Sequence, residues 1–139
     1  MKRKSSAILL FAIGMAFAGL LCLCSCASWS GDNSDKDFTN IFDRFTEEGL
    51  VVDYYSPLNY EIPHADSAVC VSIAGHKFGI YKYNIKVNKQ RERITRIKEN
   101  GWIGLLGKQC NATVNGAFVL TDYDDHPQKD KIISAFKSF

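Results

Sequence analysis

The chain has 139 residues, with 17 Lys or Arg against 15 Asp or Glu, for a formal net charge of +2. Hydrophobic residues make up 46%, aromatic residues 12% and charged residues 23%. So much apolar and aromatic side chain excludes disorder from end to end, and the length leaves room for one core rather than two.

Lys2, Arg3 and Lys4 precede 15 uncharged residues, Ala7 to Leu21. A positive segment ahead of an apolar one is the pattern of a cleavable export signal. The run falls short of the roughly 20 residues a helix needs to cross a hydrocarbon core. Counting on to Ala27 gives 21 uncharged residues, so an uncleaved signal anchor stands as the alternative. The junction reads Leu23-Cys24-Ser25-Cys26. It resembles a bacterial lipoprotein signal, in which a leucine stands three residues before the modified cysteine and a small residue directly before it. Cys24 in the middle makes it a relaxed lipobox of the kind seen in spirochaetes.

This resemblance covers residues 1–26 alone. It implies a signal peptide over residues 1–25 and a diacylglyceryl thioether on Cys26, the nucleophile of that modification. It also implies a location on the cell membrane or outer membrane, lipid-anchored and facing outside the cytoplasm. At about 0.8 kcal/mol per buried CH₂, two or three acyl chains hold such a protein nearly permanently. Cleavage after Ala27, with Ser25 and Ala27 as the small pair, would instead release a soluble secreted domain. Once residues 1–25 are removed, 14 basic residues face 15 acidic ones, a net charge of −1.

Processing leaves Cys70 and Cys110 besides Cys26. One disulfide between them would close a loop of about 40 residues and contribute on the order of 3 to 4 kcal/mol. Two free thiols are the other reading. From Ala27 to Lys36 the residues are small and polar, so residues 26–36 read as the lipidated cysteine and a flexible tether.

The domain is expected over residues 37–139. Phe38, Ile41, Phe42 and Phe45 recur at helical spacing, which predicts a helix from Asp37 to Glu48 stopped by Gly49. Leu50 to Tyr55 reads as a short strand, and Pro57 and Pro63 punctuate a surface loop. Ala68 to Ala74 alternates as a strand, Gly75-His76 fits a type II′ turn, and Lys77 to Ile85 returns as its partner. Asn88 is placed to cap a helix to Asn100, with Gly101 as its stop and only Val87, Ile94 and Ile97 as its apolar stripe. Trp102 to Leu106 is a strand or an irregular segment. Cys110 to Val114 and Ala117 to Tyr123 flank Asn115-Gly116, expected as a type I′ hairpin. The last helix starts at Pro127 and buries Ile132, Ile133, Phe136 and Phe139. The fold class is α+β: a small single domain with an antiparallel sheet built from two hairpins plus a short strand, packed with about three helices.

Charge is segregated. Residues 32–66 hold nine acidic and two basic residues, and residues 77–108 hold nine basic and two acidic. Lys86, Lys89, Arg91, Arg93, Arg96 and Lys98 concentrate on the thin helix as a candidate anion-binding face for headgroups, an acidic polymer or an acidic protein. A solvated face paired internally with the acidic segment is the competing reading. Export makes nucleic acid a poor partner. His64, His76 and His126 fall in predicted turns or loops and read as exposed. They lack the HxH or HExxH spacing of a metal site, and neither a metal nor a cofactor is expected. Cys70 with His64, Asp66 or His76 sketches a thiol enzyme without a local signature, so no catalytic residue is assigned. The function expected is therefore a lipid-anchored envelope protein acting as a non-catalytic binding or assembly module. Its partners are the membrane, through the lipid, and an envelope protein or anionic polymer.

Overall fold

Residues 32–139 are described by a computed structural model; the expected signal peptide and Cys26 lie outside them. Helix α1 (Phe38–Glu47) opens on Asp37. The Asp37 carboxylate accepts from the Thr39 amide at 2.8 Å, and the Asn40 side chain accepts from the Asp37 amide at 2.9 Å. This reciprocal cap satisfies amides that a helix start leaves without partners. Ile41 and Phe45, one turn apart, are fully buried, and Gly49, at φ +76°, turns the chain out of the helix as expected.

Strands β1 (Val52–Pro57), β2 (Ser67–Ile73) and β3 (His76–Lys82) follow, then helix α2 (Asn88–Asn100). Strands β4 (Trp102–Leu105), β5 (Lys108–Asn115) and β6 (Phe118–Thr121) come next, and helix α3 (Lys129–Ser138) is last. Every pairing is antiparallel, in the order β1-β2-β3-β6-β5-β4. Two three-strand meanders, each preceded by a helix, therefore meet at β3 and β6. The chain forms the α+β domain expected of it. The sheet also has a hairpin left open by the sequence, β4 to β5 across Leu106-Gly107, where both φ are positive (49° and 75°).

The two expected turns exchange types. Ile73 pairs with His76, so the first turn is Ala74-Gly75 rather than Gly75-His76. Positive φ at both (52° and 76°) is the type I′ requirement. Asn115 pairs with Phe118, so the second turn is Gly116-Ala117, with positive φ at Gly116 but not at Ala117, the type II′ pattern. The shift has a local cause. Ala117 is buried, its carbonyl accepts from the Tyr83 amide at 2.8 Å, and the Asn115 side chain donates to the Phe136 carbonyl at 2.8 Å.

Register assigns the sheet faces. Val71, Ile73, Phe78, Ile80, Phe118 and Leu120 share the first face, which α1 and α3 cover side by side. Ring contacts fix that layer: Phe45 with Phe78 at 6.0 Å, Phe38 with Phe118 at 5.8 Å, and Phe139 with Phe118 at 5.3 Å between centroids. The second face carries Ala68, Tyr81, Ala112 and Val119, with Ile103 beside them on β4. Helix α2 packs there against β4 and β5, burying only Ile94 and Ile97. Asn88 is its first residue rather than its cap, because no side chain caps this helix. No helix among the described residues is long and apolar enough to cross a membrane.

Two further sequence expectations need correction. The end of the expected tether belongs to the domain: Asn33 is 4% exposed, its carbonyl oxygen Oδ1 accepts from the Ala117 amide at 2.9 Å, and its Nδ2 donates to the Asn115 carbonyl at 3.3 Å. A single buried asparagine thus anchors a segment whose composition looks like free chain. His126, expected to be exposed, is also 4% exposed. Its Nδ1 accepts from the Gln128 amide at 2.9 Å, which makes Nε2 the donor to the Ile73 carbonyl at 2.9 Å.

Candidate functional site

Positions 93, 96, 97 and 100 stand at i, i+3, i+4 and i+7 on α2, so Arg93, Arg96, Ile97 and Asn100 form one stripe down the helix. The stripe is one wall of a pocket of ≈ 260 Å³. Ile62, Pro63 and His64 form the opposite wall, and Trp102, Ile103 and Gly104 complete the lining.

Each wall has a local cause. Gly101 adopts the left-handed conformation at φ 75° and donates to the Ile97 carbonyl at 2.8 Å, which stops α2 and brings Trp102 straight in behind it. The carbonyl of Gly101 then accepts from the Ala112 amide at 3.0 Å, seating this corner on β5. Across the pocket, the Tyr83 hydroxyl donates to the Pro63 carbonyl at 3.1 Å, and the Ala65 amide donates to the Tyr60 carbonyl at 2.9 Å. Those bonds fold the β1–β2 loop so that His64, at φ 54°, sits at the rim. Burial raises the Tyr83 phenol pKa, while the charge of Arg93 pulls it the other way.

Arg93, Arg96, His64 and Asn100 line this space, and no acidic residue does. Like charges three residues apart on a helix disfavour each other. Glu92 and Glu99, at i−4 and i+3 from Arg96, offset part of that repulsion on the outer side of the helix. Ile62, 40% exposed, leaves apolar surface at the pocket; Trp102, 39% exposed, pairs with Asn111, and its ring points to the other sheet face.

The six cations expected to form one face separate into groups. Arg93, half-buried, and Arg96, exposed, enter the pocket. Arg91 braces the start of its own helix, donating to the Ile85 carbonyl at 3.2 Å and to the Asn88 side chain. Lys86 and Lys89 flank that start, and Lys98 is exposed on another side of α2. Along the outer side, Arg91 and Arg96 share a shallow groove with Glu92 and Glu99, where the charges are mixed. Helices α1 and α2 lie on opposite sheet faces, so the acidic and basic helices do not pair with each other. Charges of the two blocks approach where Asn33 docks: Ser34 hydrogen bonds, with a smaller pull from Lys86, hold the Asp32 carboxyl below its ordinary range.

The two thiols are free, which overturns the disulfide alternative. Cys70 is on β2 and Cys110 on β5, with β3 and β6 between them. Three strand spacings of about 4.8 Å separate the strands, far beyond the ~7 Å a disulfide tolerates between Cα atoms. Cys110 lines a separate, mainly apolar pocket of ≈ 340 Å³ with Tyr81, Leu105 and Asp122, and burial pushes its thiol up.

His64, Asp66, Cys70 and His76 do not converge. Cys70 lies on the second sheet face and His76 on the first, with its ring 5.2 Å from that of His126. His64 lines the α2 pocket, which Cys70 does not reach. Among the described residues, no three His, Cys, Asp or Glu are placed to hold a metal ion.

Sequence reading named Arg93 and Arg96 but missed Asn100, Ile62, Trp102 and Gly104. The 93/96/97/100 spacing was a usable signal for the helix wall. Nothing in sequence connects it to Ile62 or His64, which approach through the fold of a loop. No family model, curated protein or solved structure matches this chain.

Proposed function

We propose that this is a lipid-anchored cell-envelope protein, held through Cys26 on the outer side of the cell membrane or outer membrane. Its domain acts as a non-catalytic binding module for a negatively charged envelope partner. The observation that carries the anchor is the order of the first 26 residues: three basic residues, an uncharged apolar run, then Leu23-Cys24-Ser25-Cys26. Binding is supported by the carboxylate-free wall of Arg93 and Arg96. A thiol enzyme has less support, since His76 is on the sheet face opposite Cys70 and His64 belongs to the α2 pocket.

Cys26→Ala tests the anchor. The variant is expected to move from the membrane to the soluble fraction and to lose labelling by a radioactive fatty acid. Membrane retention equal to that of the unaltered chain would refute it.

A further inference from the structure

We propose that the mainly apolar pocket between the β1–β2 loop and the β4–β5 hairpin binds a small uncharged amphiphile, an aliphatic chain or ring carrying one hydroxyl or carbonyl oxygen, with that oxygen on the Tyr81 hydroxyl. The site is separate from the arginine wall and does not depend on the lipid anchor.

Strand register builds this pocket on one side of the sheet. Tyr81, Leu105, Lys108 and Cys110 all point to the second face, and the space of ≈ 340 Å³ lies over them. Leu58 and Ile62 of the loop and Leu106 of the hairpin turn give it aliphatic sides. Its volume is near the lower end of the roughly 300 to 1,000 Å³ of small-molecule sites, which suits a short chain or a single ring.

Tyr81 is the residue that points to a ligand. Three tyrosines are buried among the described residues. The Tyr83 hydroxyl donates to the Pro63 carbonyl and the Tyr123 hydroxyl bonds to that of Thr113, whereas the Tyr81 hydroxyl has no hydrogen-bond partner among the described residues. Tyr81 is only 4% exposed, yet no fully enclosed side-chain oxygen among those residues lacks a partner. Its hydroxyl is therefore open to the pocket that the ring lines. Gly79, two residues earlier on the same face, gives the ring room to lean that way: a Cβ built there would meet side-chain carbons of Tyr81 and Leu58 at 3.3 Å. The neighbouring Thr121 hydroxyl is already engaged, donating to the Asp122 carboxylate at 3.2 Å. A ligand oxygen supplies the partner that a buried hydroxyl ordinarily has.

The same surroundings disfavour a charged head group. Burial first, then Asp122 and Cys110, push the Tyr81 phenol up to about 12, so it stays a neutral donor. A carboxylate or ammonium drawn against it would lose its water and gain no counter-ion. At the rim, Lys108 and Asp122 carry opposite charges, and each repels what the other attracts.

The test uses the full-length chain in lipid nanodiscs, with alkylation of its thiols by iodoacetamide followed by peptide mass. Cys110 lines the pocket, and Cys70, on the same sheet face but outside the lining, is the internal reference. Cyclohexanol should slow alkylation of Cys110 saturably and leave that of Cys70 unchanged. Cyclohexanecarboxylate and cyclohexylamine, each with one charge on the same ring, should need concentrations about tenfold or more higher for the same protection. Tyr81→Phe removes the hydroxyl without removing a hydrogen bond within the protein, and an unchanged Cys70 rate checks that the sheet is intact. In that variant the half-protecting concentration of cyclohexanol should rise about threefold to tenfold, the loss of one hydrogen bond. The proposal is overturned by no saturable protection of Cys110, by equal protection of Cys70, by equal potency of either charged analogue, or by an unaltered half-protecting concentration in folded Tyr81→Phe.

Discussion

His126 shows how one side chain ties distant parts of this chain together. Its ring joins the end of β2 to the turn before α3 through the Ile73 carbonyl and the Gln128 amide, and it packs edge-on to Phe78. Replacing it with alanine leaves the buried Ile73 carbonyl without its ring donor and removes the ring acceptor from the exposed Gln128 amide. Such loss costs about 2 to 3 kcal/mol, so His126→Ala should shift the urea midpoint down at unchanged slope; a loss below about 0.5 kcal/mol would contradict the assigned bonds. Tyr81 sets an alkaline limit. Burial on the second sheet face pushes its phenol from 10.0 up to about 12. Its folded-state pKa lies above its unfolded one, so the neutral form is favoured by folding. The stabilisation is complete below pH 10 and is lost as pH rises from there through about 12. Tyr81→Phe should flatten that loss in chemical denaturation measured between pH 9 and pH 12; an unchanged slope would place the alkaline limit elsewhere. Neither residue announces its role in sequence. A histidine beside Pro127 has the surroundings of an exposed turn, and only the third-dimensional approach of Ile73 makes it core.

At the level of elements, the helices and strands were legible because their periodicity is strong. Ile41 and Phe45 of α1, Ile94 and Ile97 of α2, and Ile132 and Phe136 of α3 are buried at the positions their spacing requires. Turn geometry was less legible. Asn-Gly marks a hairpin by itself, yet here Asn115 is drawn into the last β-pair by its bond to Phe136, and the turn moves one residue on. The Leu106-Gly107 turn was hidden because leucine rarely accepts φ near +49°. Ala74 in the first hairpin carries the same penalty at φ 52° and is exposed. Ala74→Asn keeps Gly75 and supplies the residue that type I′ turns prefer. It should stabilise the domain by about 0.5 to 1 kcal/mol, read as a rise in thermal midpoint; a fall would show that the turn is not type I′. The edges of the sheet are guarded in different ways. β1 has a bulge at Asp53, whose carboxylate accepts from the Gly75 amide at 3.1 Å, and ends at Pro57. Both features discourage a further strand from pairing there.

At the scale of the whole molecule, the docking of Asn33 decides how an anchored domain would face its membrane. Seven residue steps separate Cys26 from Asn33, a reach of at most about 25 Å. Asn33 is bonded at the β5–β6 turn, and Asn115 beside it holds the end of α3. Leu106 is at the other end of β5, about 24 Å away by strand rise. With acylated Cys26, the end carrying Gly116 and Lys137 is held within about 25 Å of the headgroups, while the Leu106-Gly107 turn can lie about 24 Å farther out. Fluorophores at Lys137→Cys and Lys108→Cys, each in a chain with Cys70 and Cys110 replaced by serine, should be quenched unequally by a headgroup-borne quencher, more strongly at residue 137. Equal quenching would mean that the docked segment does not orient the domain.

The arginine pocket opens on the flank, between α2 and the β1–β2 loop, where a tethered domain can still meet a polymer. The arginines themselves were visible in sequence as part of a basic run. Their separation from Arg91, Lys86 and Lys89 was not, because it depends on which helix stripe faces the loop. The most direct measurement of the anchored reading is the intact mass of the protein extracted from membranes of its own host, together with its N-terminal peptide. A chain beginning at Cys26 and heavier than its sequence by a diacylglyceryl group is predicted. A chain beginning at Ser28, or one retaining Met1 with no added lipid mass, would contradict it.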